Sequence, residues 1–275
     1  MAVVATARRV SLMGLDFDAL TESEAVARIL DSLEQGQGGW VVTPNLEYLR
    51  AYQLADDVQR DFDSADLVVP DGIPLLWASR LKKEPLPGRV AGSDLIWSLP
   101  RAAARRGASI LFLGGKPGTA EAAAARLRRE YSDLRICGAI CPPHGFERDR
   151  VAVAAVARKA AMLQPDIVFV GLPLAKYLVV ARALRCELPG AWLVGVGVSF
   201  SFVSGDIARA PAWLQCLGLE WLHRLAQEPR RLFRRYVIQG MPFAARLLAY
   251  SALVRAASAL ALRPDRVVPR GRPGR

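Results

Sequence analysis

Uninterrupted apolar runs recur through the first three quarters of the chain, and amphipathic stretches separate them. The runs are RVSLMGLDF from Arg9, GWVVTPN from Gly39, ADLVVPDG from Ala65, ASILFLGG from Ala108, PDIVFVGLP from Pro165 and AWLVGVGVSF from Ala191. Runs this apolar predict strands covered on both faces, as in a parallel sheet. TESEAVARILDSLE, LEYLRAYQLADDVQRDF and TAEAAAARLRREY have helical periodicity between them, and Thr21 with Glu24 has the spacing of a capping box. Strands alternating with helices predict an α/β fold: a Rossmann-like, mostly parallel sheet with helices on both faces.

In such a sheet the C-terminal strand ends share one edge, where ligands bind. That edge is predicted to carry Thr43 and Asn45, Asp71, Gly114 and Gly115, Gly171, and Gly195 with Gly197. In LVVPDGIPLLW, residues 67–77, Asp71 stands bare between two apolar stretches. Two readings are open there. Pro-Asp-Gly is good turn chemistry, and a carboxylate at a buried strand end is also a candidate general base. The GGKPG turn at 114–118 lacks both the Walker A order and a full G-x-G-x-x-G.

Charge changes the picture at the C-terminus. Residues 1–208 hold 24 Lys and Arg against 23 acids, whereas residues 209–275 hold 13 Arg against 3 acids. A basic region calls for an acidic partner: nucleic acid, an anionic lipid surface or a phosphorylated substrate. RAPAWLQCLGLEWLHRLAQEPRRLFRRYVIQ predicts two amphipathic helices, and an apolar stretch from Met241 follows. Arg246 and Arg255 interrupt that stretch, which disfavours a spanning helix. A helix lying in the membrane interface, or a core-packing helix with a solvated Arg face, both fit. The organisation expected is a catalytic domain over 1–208, a basic helical appendage over 209–262 and a disordered tail over 263–275. The apolar stretch argues against nucleic acid as the partner.

Other chemistry is thin. Asp16-Phe17-Asp18 and Asp61-Phe62-Asp63 have the form of divalent-metal triplets, but sit where turns and solvated helix faces are expected. Cys137, Cys141 and His144 supply three of the four ligands a structural zinc wants. No metal site and no cofactor is expected. The opening residues hold no secretory pattern and the four cysteines are sparse, so reduced thiols and a cytoplasmic catalytic body are expected.

Taken in order, TPN at 43–45, ADLVVPDGIPLLWASRL at 65–81, LPGRVAGSDL at 86–95, LFLGGKPGTAEAAAARL at 111–127, CPPHGFERD at 141–149, PDIVFVGLP at 165–173 and RAPAWLQCLGLEWLHRLAQEPRRLFRRY at 209–236 carry a resemblance. Over roughly residues 10–243 the chain resembles the WecG/TagA/CpsF family of bacterial glycosyltransferases. The resemblance implies metal-independent, inverting transfer from a UDP-sugar to a saccharide on a polyprenyl diphosphate. It places the enzyme peripherally on the inner face of the cell membrane, in cell-surface polysaccharide synthesis, and implies a self-associating chain. It makes Asp71 the general base, Thr43 and Asn45 active-site partners, and Arg89 a pocket arginine. Gly114, Gly115, Gly171 and Gly197 then fall on the substrate side. Arg224, Arg231 and Arg234 match arginines of an appendage that closes over the pocket on the membrane.

Two departures fall in motifs tied to the donor. Ala175-Lys176-Tyr177-Leu178 stands where the family has Pro-Lys-Gln-Glu, and the family's G-x-G-G-S-F-D-F becomes GVGVSFSF at 195–202, with Ser201 for Asp. The donor therefore stays open between an N-acetylmannosamine-type sugar and glucose. The alternative is an inactive homologue that binds a UDP-sugar or lipid intermediate at the membrane.

Overall fold

The computed structural model describes residues 8–261, so the expected tail at 263–275 lies outside the described residues. Six strands form one sheet, ordered β4-β3-β8-β7-β5-β6: β3 (Gly39–Val42), β4 (Leu67–Val68), β5 (Ser109–Gly114), β6 (Arg135–Ile140), β7 (Ile167–Gly171) and β8 (Trp192–Gly195). Every pairing in it is parallel. The strands Gly39–Val42, Ser109–Gly114 and Ile167–Gly171 are buried at every position, as their unbroken apolar runs require. Two apolar clusters cover the faces. One gathers Leu111, Val168 and Leu193; the other gathers Ile110, Phe112 and Phe169.

Three elements differ from the sequence-based expectation. The first run is a hairpin, β1 (Arg9–Leu12) antiparallel to β2 (Leu15–Asp18), rather than one strand. Its turn uses Met13 and Gly14 at φ 50° and 84°, the doubly left-handed turn that matches strand twist. The hairpin then fastens to the sheet, because the buried Asp18 carboxylate accepts the Val68 N–H at 2.9 Å. The helical stretch from Leu46 is two helices, α2 (Leu46–Tyr52) and α3 (Asp56–Asp63). Strand β6 was not expected at all: RICGAI carries Arg, Cys and Gly, and as an edge strand it is only partly buried.

The remaining body helices are α1 (Glu22–Glu34), α4 (Ile73–Leu81), α5 (Gly92–Arg106), α6 (Thr119–Glu130), α7 (Arg150–Ala161), α8 (Leu174–Glu187) and α9 (Ser199–Ser204). The capping box at α1 is present as expected: Thr21 Oγ1 accepts the Glu24 N–H, and Glu24 accepts the Thr21 N–H at 2.7 Å.

The C-terminal segment forms α10 (Ala212–Cys216), α11 (Glu220–Gln227) and α12 (Pro229–Phe233). A π-helical stretch, Arg234–Gly240, carries α12 into α13 (Met241–Ala261). Pro229–Ala259 is long and apolar enough to cross a membrane by length and composition alone. Yet α13 packs along α4, and Phe243, Leu247 and Ser251, spaced four apart, are buried on that face. Met241 and Leu253 are exposed away from that face, and Tyr250 is exposed at its edge. The core-packing reading thus holds for one face of the helix.

Tyr177, the first departure, lies in the core. It is 2 % exposed, its oxygen accepts from Trp40 Nε1 at 2.5 Å, and its O–H donates to the Val41 carbonyl at 2.8 Å. Its ring also fills the space beside Gly195, where a Cβ would lie 2.9 Å from the ring. Tyr177→Phe should leave the buried Trp40 N–H without a partner and cost about 1–3 kcal/mol. The expected result is a lower midpoint in denaturant unfolding with an unchanged slope.

Candidate active site

Adjacent strands set the first half of the site. Strands β3 and β4 pair in register through Val42 and Val68, so the segments leaving them run side by side. The Val69 N–H donates to the Val42 carbonyl at 3.1 Å, and the Asp71 N–H donates to the Pro44 carbonyl at 2.8 Å. Thr43, Asn45 and Asp71 are thereby brought together. Thr43 is buried at the strand end. The Asn45 side-chain oxygen caps α2, accepting from the Glu47 and Tyr48 N–H groups at 3.0 and 3.1 Å. This cap leaves the Asn45 amide N–H₂ as the group it can offer a ligand.

The segment entering α5 joins them. The Val90 N–H donates to the Pro70 carbonyl at 2.8 Å, which sets Arg89 beside Asp71. Arg89 does not pair with Asp71. Its guanidinium donates to Asp94 at 2.8 Å and to Glu220 at 3.1 Å. Arg209 answers from the C-terminal segment, reaching Asp94 at 2.5 Å and Glu220 at 3.5 Å. Four alternating charges thus close a ring. Among the described residues, no hydrogen bond or ion pair reaches the Asp71 carboxylate. Burial, first, and then the nearby Glu220 and Asp94 raise its pKa from 3.8 to about 7, against the opposing pull of Arg89 and Arg209.

The C-terminal segment covers this cluster. Gly218, at φ 74°, lies so close to Ile73 that a Cβ would come within 2.8 Å of it. Arg235 pairs with Glu47 on the first turn of α2. Arg224 stacks over the Phe202 ring on α9 at 5.4 Å. Arg234 is exposed in the π-helical stretch, and Arg231 pairs with Glu228.

The second half of the site lies farther along the same edge. From β4 to β5 is four strand spacings, about 19 Å. Gly114, Gly115 and Gly171 sit at the point where connections leave β5 and β7 in opposite directions, but their missing side chains are filled by the protein itself. A Cβ on Gly114 would meet Leu172 at 2.9 Å, and one on Gly171 would meet Phe200 at 2.5 Å. At Gly115 it would meet Thr119 Oγ1 at 2.5 Å. Gly197, at φ 54°, has open space instead. Between the GGKPG turn and the start of α12 lies a cleft of about 520 Å³ lined by Lys116, Glu228, Pro229, Arg230 and Arg231. Three of those five side chains are cationic and one, Glu228, is acidic and pairs with Arg231, which leaves Lys116 and Arg230 to meet an anion.

Three of the four triplet carboxylates hold protein partners. Asp18 binds the Val68 N–H, Asp61 takes Arg182 in a two-pronged pair at 2.8 and 2.5 Å, and Asp63 accepts from the Tyr52 hydroxyl at 2.9 Å. Among the described residues no three His, Cys, Asp or Glu side chains converge on a metal position. The Cys137 thiol donates to the Ile110 carbonyl at 3.4 Å.

With this geometry in place, the chain matches the family model described as glycosyl transferase WecG/TagA/CpsF over residues 10–257. The chain belongs to that family. It is therefore a glycosyltransferase. It is 32% identical over 199 residues to an N-acetylglucosaminyldiphosphoundecaprenol N-acetyl-beta-D-mannosaminyltransferase of Bacillus spizizenii, covering 72% of this chain and 75% of that protein. A Bacillus subtilis protein of the same description is 31% identical over the same shares. Among solved structures, a periplasmic substrate-binding protein from Ralstonia solanacearum aligns over 68% of this chain and 53% of its own, with 16% identity and a TM-score of 0.32. The distance of that match leaves it without bearing on the site.

Sequence reasoning did not single out Asp94, Arg209 and Glu220 as site residues. Each stood within a matched motif, but only the fold shows that they meet around Arg89. A carboxyl whose pKa is raised by folding keeps a proton that the unfolded chain has released. Its contribution to stability is therefore full below about pH 4 and lost as pH rises through about 7. Asp71→Asn removes the titration, so its melting temperature relative to the parent should be higher at pH 8 than at pH 5. Equal differences at both pH values would contradict the raised pKa.

Proposed function

We propose that this glycosyltransferase moves a sugar, with inversion and without a metal, from a UDP-sugar to a saccharide on a polyprenyl diphosphate. The observation that carries the reading is Asp71: a half-buried carboxylate at a strand end, unpaired, with its pKa near 7. An acceptor hydroxyl is a poor nucleophile until a base removes its proton, and a base is most effective near the working pH. As Asp71 takes that proton, the acceptor oxygen bonds to the anomeric carbon and the bond to UDP breaks on the opposite face. The electron pair leaves with UDP. The departing diphosphate gathers negative charge that backbone N–H groups and cationic side chains are suited to hold, and Lys116 and Arg230, farther along the edge, suit the far end of the donor rather than the bond that breaks.

The acceptor is taken from the relatives, which are named for N-acetylglucosaminyldiphosphoundecaprenol. The donor is an N-acetylmannosamine-type sugar or glucose. The buried Tyr177 supports the active reading over that of an inactive homologue, because its hydroxyl is bonded inside the core rather than turned to the cleft.

The enzyme works at the cytoplasmic face, docked on anionic lipid. Trp213, Leu217, Trp221 and Phe233 are exposed along the C-terminal segment, and Arg230 and Arg234 accompany them. Apolar side chains flanked by arginines suit the headgroup boundary.

With a lipid-linked acceptor and a panel of UDP-sugars, one donor should turn over, and Asp71→Asn should slow it by about 10²–10⁴-fold. Unchanged turnover in the variant would return Asp71 to a turn residue. The double variant Trp213→Ser, Phe233→Ser should sediment less with vesicles containing anionic lipid; undiminished sedimentation would refute the docking face.

A further inference from the structure

Arg89 presents a puzzle of pairing. A guanidinium beside a desolvated carboxylate ordinarily pairs with it, and that pairing would hold the carboxylate well below its usual range. Here the guanidinium turns instead to Asp94 and Glu220. Asp94 comes from α5, a few residues from Arg89, whereas Glu220 lies 131 residues away on the C-terminal segment. All four members of the ring are only 18–21% exposed, so their charges are weakly screened.

We propose that Glu220 is a positioning residue: it closes the ring Arg89–Asp94–Arg209–Glu220, holds the Arg89 guanidinium off Asp71, and so leaves that carboxylate free to accept a proton. The inference rests on the reading of Asp71 as the base and adds a dependence on docking. Glu220 reaches the ring only because Gly218 packs on Ile73 and Arg209 is fixed on Ser93, whose carbonyl and hydroxyl it meets at 3.1 Å. Lifting the segment withdraws Glu220, wets the carboxylate and frees Arg89 to pair with it. Each change lowers the proton affinity of Asp71 and weakens it as a base.

The charged and titratable groups facing Asp71 come from every element around it. Arg89 and Asp94 stand on the α5 side, Arg209 and Glu220 on the C-terminal segment, and Tyr48 on α2. Burial raises the Tyr48 phenol far above neutral, so it stays uncharged while Asp71 titrates. Arg235 pairs with Glu47 on the same helix. Removing the charge of Glu220 leaves the Asp71 and Arg89 side chains themselves in place while taking away the partner that holds Arg89.

The test uses the full chain and two readouts. The first is the titration of Asp71, followed by its carboxylate ¹³C signal without substrate and assigned by the loss of that signal in Asp71→Asn. The second is the pH–rate profile of sugar transfer. In Glu220→Gln the titration and the acid limb of the profile should both move to lower pH, with the plateau rate down about tenfold, less than removing the base outright. Glu220→Asp keeps the charge but draws it back by one methylene, so the same shift should appear at smaller size. A merely structural ring would change the plateau or the melting temperature and leave the limb where it was. An unmoved titration in the folded Gln variant, or in the Asp variant should the Gln variant fail to fold, overturns the inference. If the parent transfers no sugar but its titration moves as expected, the inference about Asp71 stands and the proposed reaction falls.

Discussion

Asp71 is held by its backbone and left alone at its side chain. Its N–H donates to the Pro44 carbonyl, and the neighbouring Pro70 carbonyl accepts from Val90, so the main chain is fixed on both sides. The carboxylate is desolvated without gaining a partner, an arrangement that works against stability at neutral pH. Such an arrangement persists only when surrounding structure over-determines it. Here that structure is the β3–β4 pairing beneath, the α5 entry segment beside it and the C-terminal segment above.

The two ends of the site are built differently. Around Asp71, three chain segments converge and leave a polar group open. Around the GGKPG turn, the glycines allow Phe200 and Leu172 to pack against the main chain, which makes that turn rigid rather than empty. The cationic side chains beside it are Lys116 and the arginines that α12 brings to it. The basic C-terminal segment contributes to both ends: Arg209 and Glu220 at one, Arg230 and Arg231 at the other. Its surplus charge is thus distributed along the whole reactive edge.

The sheet was legible because strands buried on both faces leave unbroken apolar runs, as in SILFLG and IVFVG. Strand β6 was not, since an edge strand needs no such run. The hairpin was read as one strand because Met13 has no composition typical of a left-handed turn, although Gly14 does. Asp71, Thr43, Asn45 and Arg89 could be placed by motif, and the β3–β4 register explains why they meet. The ring partners could not be placed. Asp94 reads as an ordinary first-turn acid, and Glu220 as one charge on an amphipathic helix. Their importance lies in a tertiary encounter that no local pattern encodes. Tyr177 taught the converse lesson: a residue at a motif position need not face the site, and this one turns its hydroxyl to Trp40.

The bond between Arg89 and Glu220 spans 131 residues, and the helix that buttresses α4 is made later still. A chain emerging from the ribosome completes its sheet well before either arrives. The last strand of the sheet ends at Gly195, so the residues that close the ring and the helix face that covers α4 are joined to a sheet already encoded before them.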